Sequence, residues 1–129
     1  MEGRSRRTPK QNTGDSGESL ALSFLLKKGY QPVTRNYHSR FGEIDLIVRN
    51  DEFIVFVEVK TRGIRSADDP AAFVDRRKQQ RVIKTAFVYL EENASDLQPR
   101  FDVIGISLDP SGSFRLEHIE NAFSPDDNY

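Results

Sequence analysis

An α/β fold, a single mixed sheet with helices on its faces, is what this chain predicts, and three observations carry the prediction. Its apolar pattern runs in the order helix, three strands, helix, strand, strand. Two runs rich in β-branched residues, Gly42–Ile47 and Phe53–Lys60, flank Asn50-Asp51 and read as an antiparallel hairpin. The helix that follows then acts as a crossover into a fourth strand, and such a connection permits parallel pairing. With 129 residues there is room for one core and little more.

Residues 1–14 carry Arg4, Arg6, Arg7 and Lys10 among Ser, Thr, Gly and Asn without apolar periodicity, so a disordered basic arm is expected there. The domain proper is expected to span residues 15–123. Its first helix should run from about Ser16 to Lys28, with Asp15 as N-cap and Gly29 as C-cap. Glu18 shares the stripe of Ala21, Leu22 and Leu25 and so faces the sheet; its spacing from Asp15 also suits a capping box. Gln31–Tyr37 reads as a strand, with Pro32 favouring the sheet edge, and residues 38–42 as a turn.

The hairpin contains charges where its apolar composition predicts burial. With an even loop, Val48 faces Phe53, Asp45 faces Phe56 and Glu43 faces Glu58, so that Glu43, Asp45, Glu58 and Lys60 share one face. Asp45 and Glu58 are then diagonal neighbours roughly 7 Å apart. Two carboxylates about 5 Å apart repel by roughly 3 kcal/mol at an effective dielectric near 20, and one lysine does not balance three of them. A divalent cation would. Oxygen ligands without cysteine or paired histidines select Mg²⁺ or Mn²⁺ over zinc.

Beyond Lys60, residues 61–70 read as a polar loop that either gates substrate or contacts phosphates through Arg62 and Arg65 or, the commoner use of such composition, is a plain solvated connection. The second helix should begin between Pro70 and Asp75 and end near Glu92, burying Gln79, Val82, Ile83, Ala86, Tyr89 and Leu90. Arg76, Arg77, Lys78 and Arg81 in its opening turns oppose the helix dipole at about 0.3–1 kcal/mol each, which a bound phosphate backbone would offset. Strands are expected at Arg100–Ile106 and Ser113–Ile119, around a turn at residues 109–112, and residues 124–129 should fray. Asp102 alternates with Ile104 and Ile106 and is expected to form a structural ion pair with Arg100 or Arg35.

Composition narrows the function. The absence of cysteine excludes thiolate catalysis, thiolate metal sites and disulfides, and no apolar run approaches a membrane span, so a cytoplasmic protein is expected. A net charge of -1 weighs mildly against nucleic acid as partner, but acidic residues massed in a metal site hide basic patches from a whole-chain count.

Asp45, twelve intervening residues and then Glu58-Val59-Lys60 resemble the PD-(D/E)XK nuclease signature. The surrounding stretches Gly42–Ile47 and Phe56–Arg62, with Arg35-Asn36-Tyr37, Lys78, Arg100–Val103 and Asn121-Ala122-Phe123, resemble the YraN-like family of uncharacterised bacterial proteins. The resemblance implies a restriction-endonuclease-like α/β sandwich and a Mg²⁺- or Mn²⁺-dependent endonuclease acting on structured or damaged DNA. It implies that Asp45, Glu58 and Lys60 are catalytic, with Asp45 and Glu58 as metal ligands, Val59 through its carbonyl as a further one, and Glu43 or Glu18 completing the shell. Arg62, Arg76, Arg77, Lys78 and Arg81 are the expected nucleic-acid contacts. A homodimer is allowed, and a membrane partner is not expected. The rival reading is a non-catalytic nucleic-acid-binding or DNA-processing accessory module on the same fold.

Overall fold

A computed structural model describes residues 9–63 and 74–128. The elements are α1 (Pro9–Lys27), β1 (Gln31–Ser39), β2 (Gly42–Arg49), β3 (Phe53–Gly63), α2 (Arg76–Glu92), β4 (Gln98–Leu108), β5 (Phe114–Phe123) and a short 3-10 turn, Pro125–Asn128. The five strands lie in sequence order β1-β2-β3-β4-β5. All neighbours are antiparallel except β3 and β4, which the α2 crossover leaves parallel. The sheet is therefore mixed, as expected.

One helix covers each face. Ile47, Ile54, Phe56, Phe101 and Val103 pack with Val82, Ile83 and Ala86 of α2. Leu46, Val48, Val55, Val57, Ile104 and Ile106 pack with Ala21 and Leu25 of α1. Consecutive residues of β3 enter opposite clusters, the signature of a strand buried on both faces, and this accounts for the unbroken apolar run Phe53–Val57. On the α2 face, Phe101 stacks between Phe56 and Phe123 at ring distances of 5.5 and 5.4 Å. On the other face α1 approaches β3 so closely that a side chain at Gly17 would overlap the Thr61 hydroxyl.

The termini depart from expectation. Helix α1 starts at Pro9, so Asp15 lies inside it and is neither N-cap nor half of a capping box with Glu18. The helix thus takes up part of the stretch expected to be an arm; residues 1–8 lie outside the described residues, as do residues 64–73 with Arg65. Pro9 suits a first helical position, where its missing N–H is not needed. At the other end, β5 continues to Phe123 and residues 125–128 form a turn rather than a frayed tail, held where Arg76 donates to the Asp127 carbonyl at 2.9 Å. Among the described residues no helix is long and apolar enough to cross a membrane.

Register also departs, in a way that matters for the site. The ladder pairs Val48 with Val55 and Leu46 with Val57, two residues away from the expected alignment, because Asn50 pairs with Phe53 and the tight turn falls at Asp51-Glu52. The Asn50 side chain fixes this turn by accepting the N–H groups of Glu52 and Phe53 at 2.9 and 2.7 Å. A shift of two by itself preserves faces, but Ile44 and Leu46 enter opposite clusters, so the alternation of β2 reverses at Asp45 and the expected common face does not extend to Glu43. The shift moves Asp45 from diagonal to level with Glu58.

Candidate active site on the α2 face

β2 and β3 part company at Asp45. Leu46↔Val57 is the last ladder pair before it, and the Val59 N–H, which would otherwise continue the ladder, donates to Asp45 Oδ2 at 2.7 Å. On the other side of β2, Asn36 and Asp45 stand between the pairs Arg35↔Leu46 and Tyr37↔Ile44, and Asn36 has φ of +52°. That left-handed residue reverses the alternation: Arg35 points to the α1 face, reaching Glu18 at 3.7 Å, whereas Tyr37 packs on the α2 face.

Glu58 points to the α2 face from the centre of the sheet and is 1% exposed. Lys78, from the first turn of α2, approaches its Oε1 at 3.5 Å. Helix α2 is aimed there by its cap, since Asp75 accepts the Lys78 N–H at 2.8 Å and begins the helix at Arg76. The other oxygen, Glu58 Oε2, is buried without a hydrogen-bond partner among the described residues. Burial, and then the Asp45 charge, push the Glu58 carboxyl up to about 8 despite Lys78 and Lys60. Burial also raises Asp45, against the Val59 N–H and the two lysines. Both carboxyls are thus held above their ordinary range, chiefly by burial, with Lys78 and Lys60 opposing the shift.

A fully buried aspartate, Asp102, shows what full compensation looks like. Asp102 also sits at a ladder interruption beside a left-handed asparagine, Asn121 with φ of +53°, whose N–H donates to Asp102 Oδ1 at 3.0 Å. Arg100 grips both Asp102 oxygens at 2.9 and 2.8 Å and also donates to the Tyr30 hydroxyl. His118 Nε2–H donates to Asp102 at 2.7 Å; its Nδ1 accepts from the Lys28 ammonium at 2.9 Å, and an ammonium can only donate, which assigns the tautomer. Burial opposes ionisation of Asp102, but His118, Arg100 and the Asn121 N–H outweigh it and hold the carboxyl below its usual range. Of the two partners expected for Asp102, Arg100 is the one found, while Arg35 pairs with Glu18.

Asp45, Glu58 and Lys78 are thus brought together, with Lys60 and Glu43 close enough to act on the Asp45 charge. Glu43 itself is exposed and lies 3.9 Å from His38. Among the described residues no three Asp, Glu, His or Cys side chains converge, so the expected three-carboxylate cluster is a pair. Arg77 and Arg81 are exposed on α2, Arg76 is engaged with the C-terminal turn, and Arg62 lies near the end of β3. The reach of Lys78 to Glu58, beyond the phosphate contact expected of it, and that of His118 to Asp102 emerge only in the fold. Asparagines inside strands were the available signal for the two interruptions.

A family model matches residues 17–106, which span the C-terminal part of α1, β1, the hairpin, α2 and most of β4. The chain belongs to the uncharacterised protein family UPF0102. Similar UPF0102 proteins include one from Pelobacter propionicus, 43% identical over 120 residues that cover 91% of this chain and 86% of that protein. Another, from Caldanaerobacter subterraneus subsp. tengcongensis, is 41% identical over 92% of this chain and 99% of its own length. A third, from Syntrophus aciditrophicus, is 42% identical over 92% and 93% respectively. The matched segment of this UPF0102 chain contains Asp45, Glu58, Lys60 and Lys78.

Proposed function

We propose that this UPF0102 protein is a metal-dependent endonuclease, hydrolysing phosphodiester bonds of structured or damaged DNA at Asp45 and Glu58. The observation that carries the reading is the buried Glu58 Oε2, which has no hydrogen-bond partner among the described residues, beside a second carboxylate. A native fold rarely leaves such an oxygen without a partner, and perturbed carboxylates facing each other are a feature of functional sites. Asp102 supports the contrast, because there every charge is matched.

The residues fit a hard divalent cation. Mg²⁺ retains several waters and is commonly held by one or two carboxylates together with substrate phosphates, so a pair of carboxylates suffices. Asp45 and Glu58 would hold it, with the Val59 carbonyl as a further oxygen; Glu43 and Glu18, engaged with His38 and Arg35, are not needed for the fit. When bound, Mg²⁺ or Mn²⁺ supplies Lewis-acid polarisation of a phosphoryl oxygen. Lys60 stabilises the charge that develops on the phosphate or orients the attacking water. Lys78, at the N-terminus of α2, attracts the scissile phosphate together with the helix dipole, and Arg77 and Arg81 continue the contact along the backbone. The antiparallel hairpin, the crossover helix and the helix on each face are compatible with a restriction-endonuclease-like sandwich.

One observation favours a non-cutting binding module instead: Lys78 already offers Glu58 a countercharge at 3.5 Å. Its reach is limited, since both carboxyls remain raised in its presence. The test is incubation of the protein with branched, flapped, nicked and single-stranded DNA in Mg²⁺, Mn²⁺ or EDTA. The endonuclease reading expects cleavage of at least one DNA, lost in EDTA and in Asp45→Asn and Glu58→Gln. Binding without cleavage in either metal would favour the module.

A further inference from the structure

Away from the carboxylates, the β1–β2 turn meets the outer face of α2 in an open cleft of about 600 Å³, lined by Arg40, Phe41, Lys84, Phe87, Val88 and Glu91. The cleft is held in place by the fold. Ser39 and Thr85 join the turn to α2 through a hydroxyl pair at 2.9 Å, and Ser39 Oγ accepts the Phe41 N–H at 3.0 Å. Gly42, at φ of +154°, lets the turn lie against α2, where an added Cβ would come within 3.4 Å of the Arg81 side chain.

Its chemistry is mixed in a particular way. The Arg40 guanidinium lies 4.8 Å and the Lys84 ammonium 5.6 Å from the centre of the Phe41 ring. Phe87 is 42% exposed. A single exposed ring is ordinary, but two rings framed by cations are a stacking surface with countercharge. Arg77, Arg81, Lys84 and Val88 follow one another at helical spacing along α2, a basic line from the end of the helix that presents Lys78 to Glu58 up to the cleft. Phe87 is nine residues beyond Lys78, an axial rise of about 13.5 Å at 1.5 Å per residue, or about four stacked nucleotides at ~3.4 Å each, and half a turn round the helix from it.

We propose that this cleft receives an unpaired nucleobase, stacked on Phe87 and Phe41, of a strand whose phosphates follow Arg77, Arg81 and Lys84. A planar apolar group carried on a polyanion is the ligand that uses both the rings and the cations; an apolar peptide or a second copy of this chain would use only the rings. The inference rests on the endonuclease reading for its direction and gives the substrate class: DNA with an unpaired strand near the bond to be cut.

Fluorescence anisotropy in EDTA, with a labelled oligothymidylate and a labelled blunt duplex, tests it without cleavage. Base–aromatic stacking lost on alanine substitution corresponds to about a 5- to 150-fold weakening per base. Phe87→Ala should therefore weaken single-strand binding about 5-fold or more, change duplex binding less than about twofold, and be restored by Phe87→Trp. As the ring is half-exposed, the urea midpoint of Phe87→Ala should stay close to the parent's and show that the fold is intact. Equal losses on both DNAs, or no loss, would overturn the cleft proposal, while cleavage abolished by Asp45→Asn would leave the endonuclease reading standing. Absence of any DNA binding by the parent would overturn both. If Phe87→Ala instead turned a dimer into a monomer in sedimentation and left single-strand binding unchanged, the face would belong to a second copy and the proposal would fall.

Discussion

The Asp45 carboxylate accepts the Val59 backbone N–H at 2.7 Å, at the point where β2 leaves β3. One oxygen of the proposed metal ligand therefore also closes the sheet, and the two tasks separate on mutation. Asparagine at position 45 keeps an acceptor for Val59 while removing the charge that repels Glu58. Alanine removes both. In chelator, Asp45→Asn should be as stable as the parent or more so, whereas Asp45→Ala should lose about 1–3 kcal/mol for the unsatisfied N–H. Urea unfolding of the three proteins reads the difference.

Glu58 gives the metal-free protein an unusual pH dependence. Its carboxyl is pushed up to about 8 in the fold, above the unfolded value of 4.5, so the folded state binds the proton more tightly. The associated stability is fully present below about pH 4.5 and is lost as pH rises through about 8. Glu58→Gln should flatten that loss, since glutamine mimics the protonated form. Urea midpoints between pH 5 and pH 9 in EDTA would show it; parallel profiles for parent and variant would remove Glu58 as the titrating group.

Lys60 lies beside both carboxylates but cannot ligate a cation. Lys60→Ala should retain Mn²⁺ binding by calorimetry and lose cleavage by about 10²- to 10³-fold, the scale of a removed charge-stabilising donor. Undiminished cleavage would take Lys60 out of the mechanism.

Part of this arrangement was legible in the chain because a two-residue register error leaves strand parity intact, although β2 itself reverses its alternation at Asp45. Asn50 carries the turn two residues from the alignment expected of Asn50-Asp51, yet Asp45, Glu58 and Lys60 keep their common face. The α2 stripe was legible for the same kind of reason, its burial of Val82, Ile83 and Ala86 following directly from 3.6-residue spacing. What escaped was three-dimensional closure. Lys78 reaches Glu58 only because the crossover lays the start of α2 over β3, and His118 reaches Asp102 only through the β4–β5 pairing of Ile104 with His118. The Pro9 start of α1 escaped because its polar opening residues have no periodicity to read.

Asp102 should behave in the opposite sense to Glu58. Its folded carboxyl titrates below the unfolded value, so its contribution is present above about pH 4 and is lost as pH falls through the folded pKa. Asp102→Asn strands Arg100 in the core, at a cost of about 3–5 kcal/mol at neutral pH. Chemical denaturation at pH 7 and pH 3 would show a large gap between parent and variant at the first and a smaller one at the second.

If Asp45 and Glu58 hold a divalent cation, titration calorimetry with Mn²⁺ will separate the parent from Asp45→Asn and Glu58→Gln. The parent should bind saturably, each variant at least about tenfold more weakly, a difference of about 1.4 kcal/mol. Saturating metal should raise the parent's unfolding free energy by RT ln(1 + [L]/Kd), about 2.7 kcal/mol at a hundredfold excess over Kd. Identical isotherms for all three proteins, or no binding by the parent, would contradict the account and leave Asp45 and Glu58 as a structural pair.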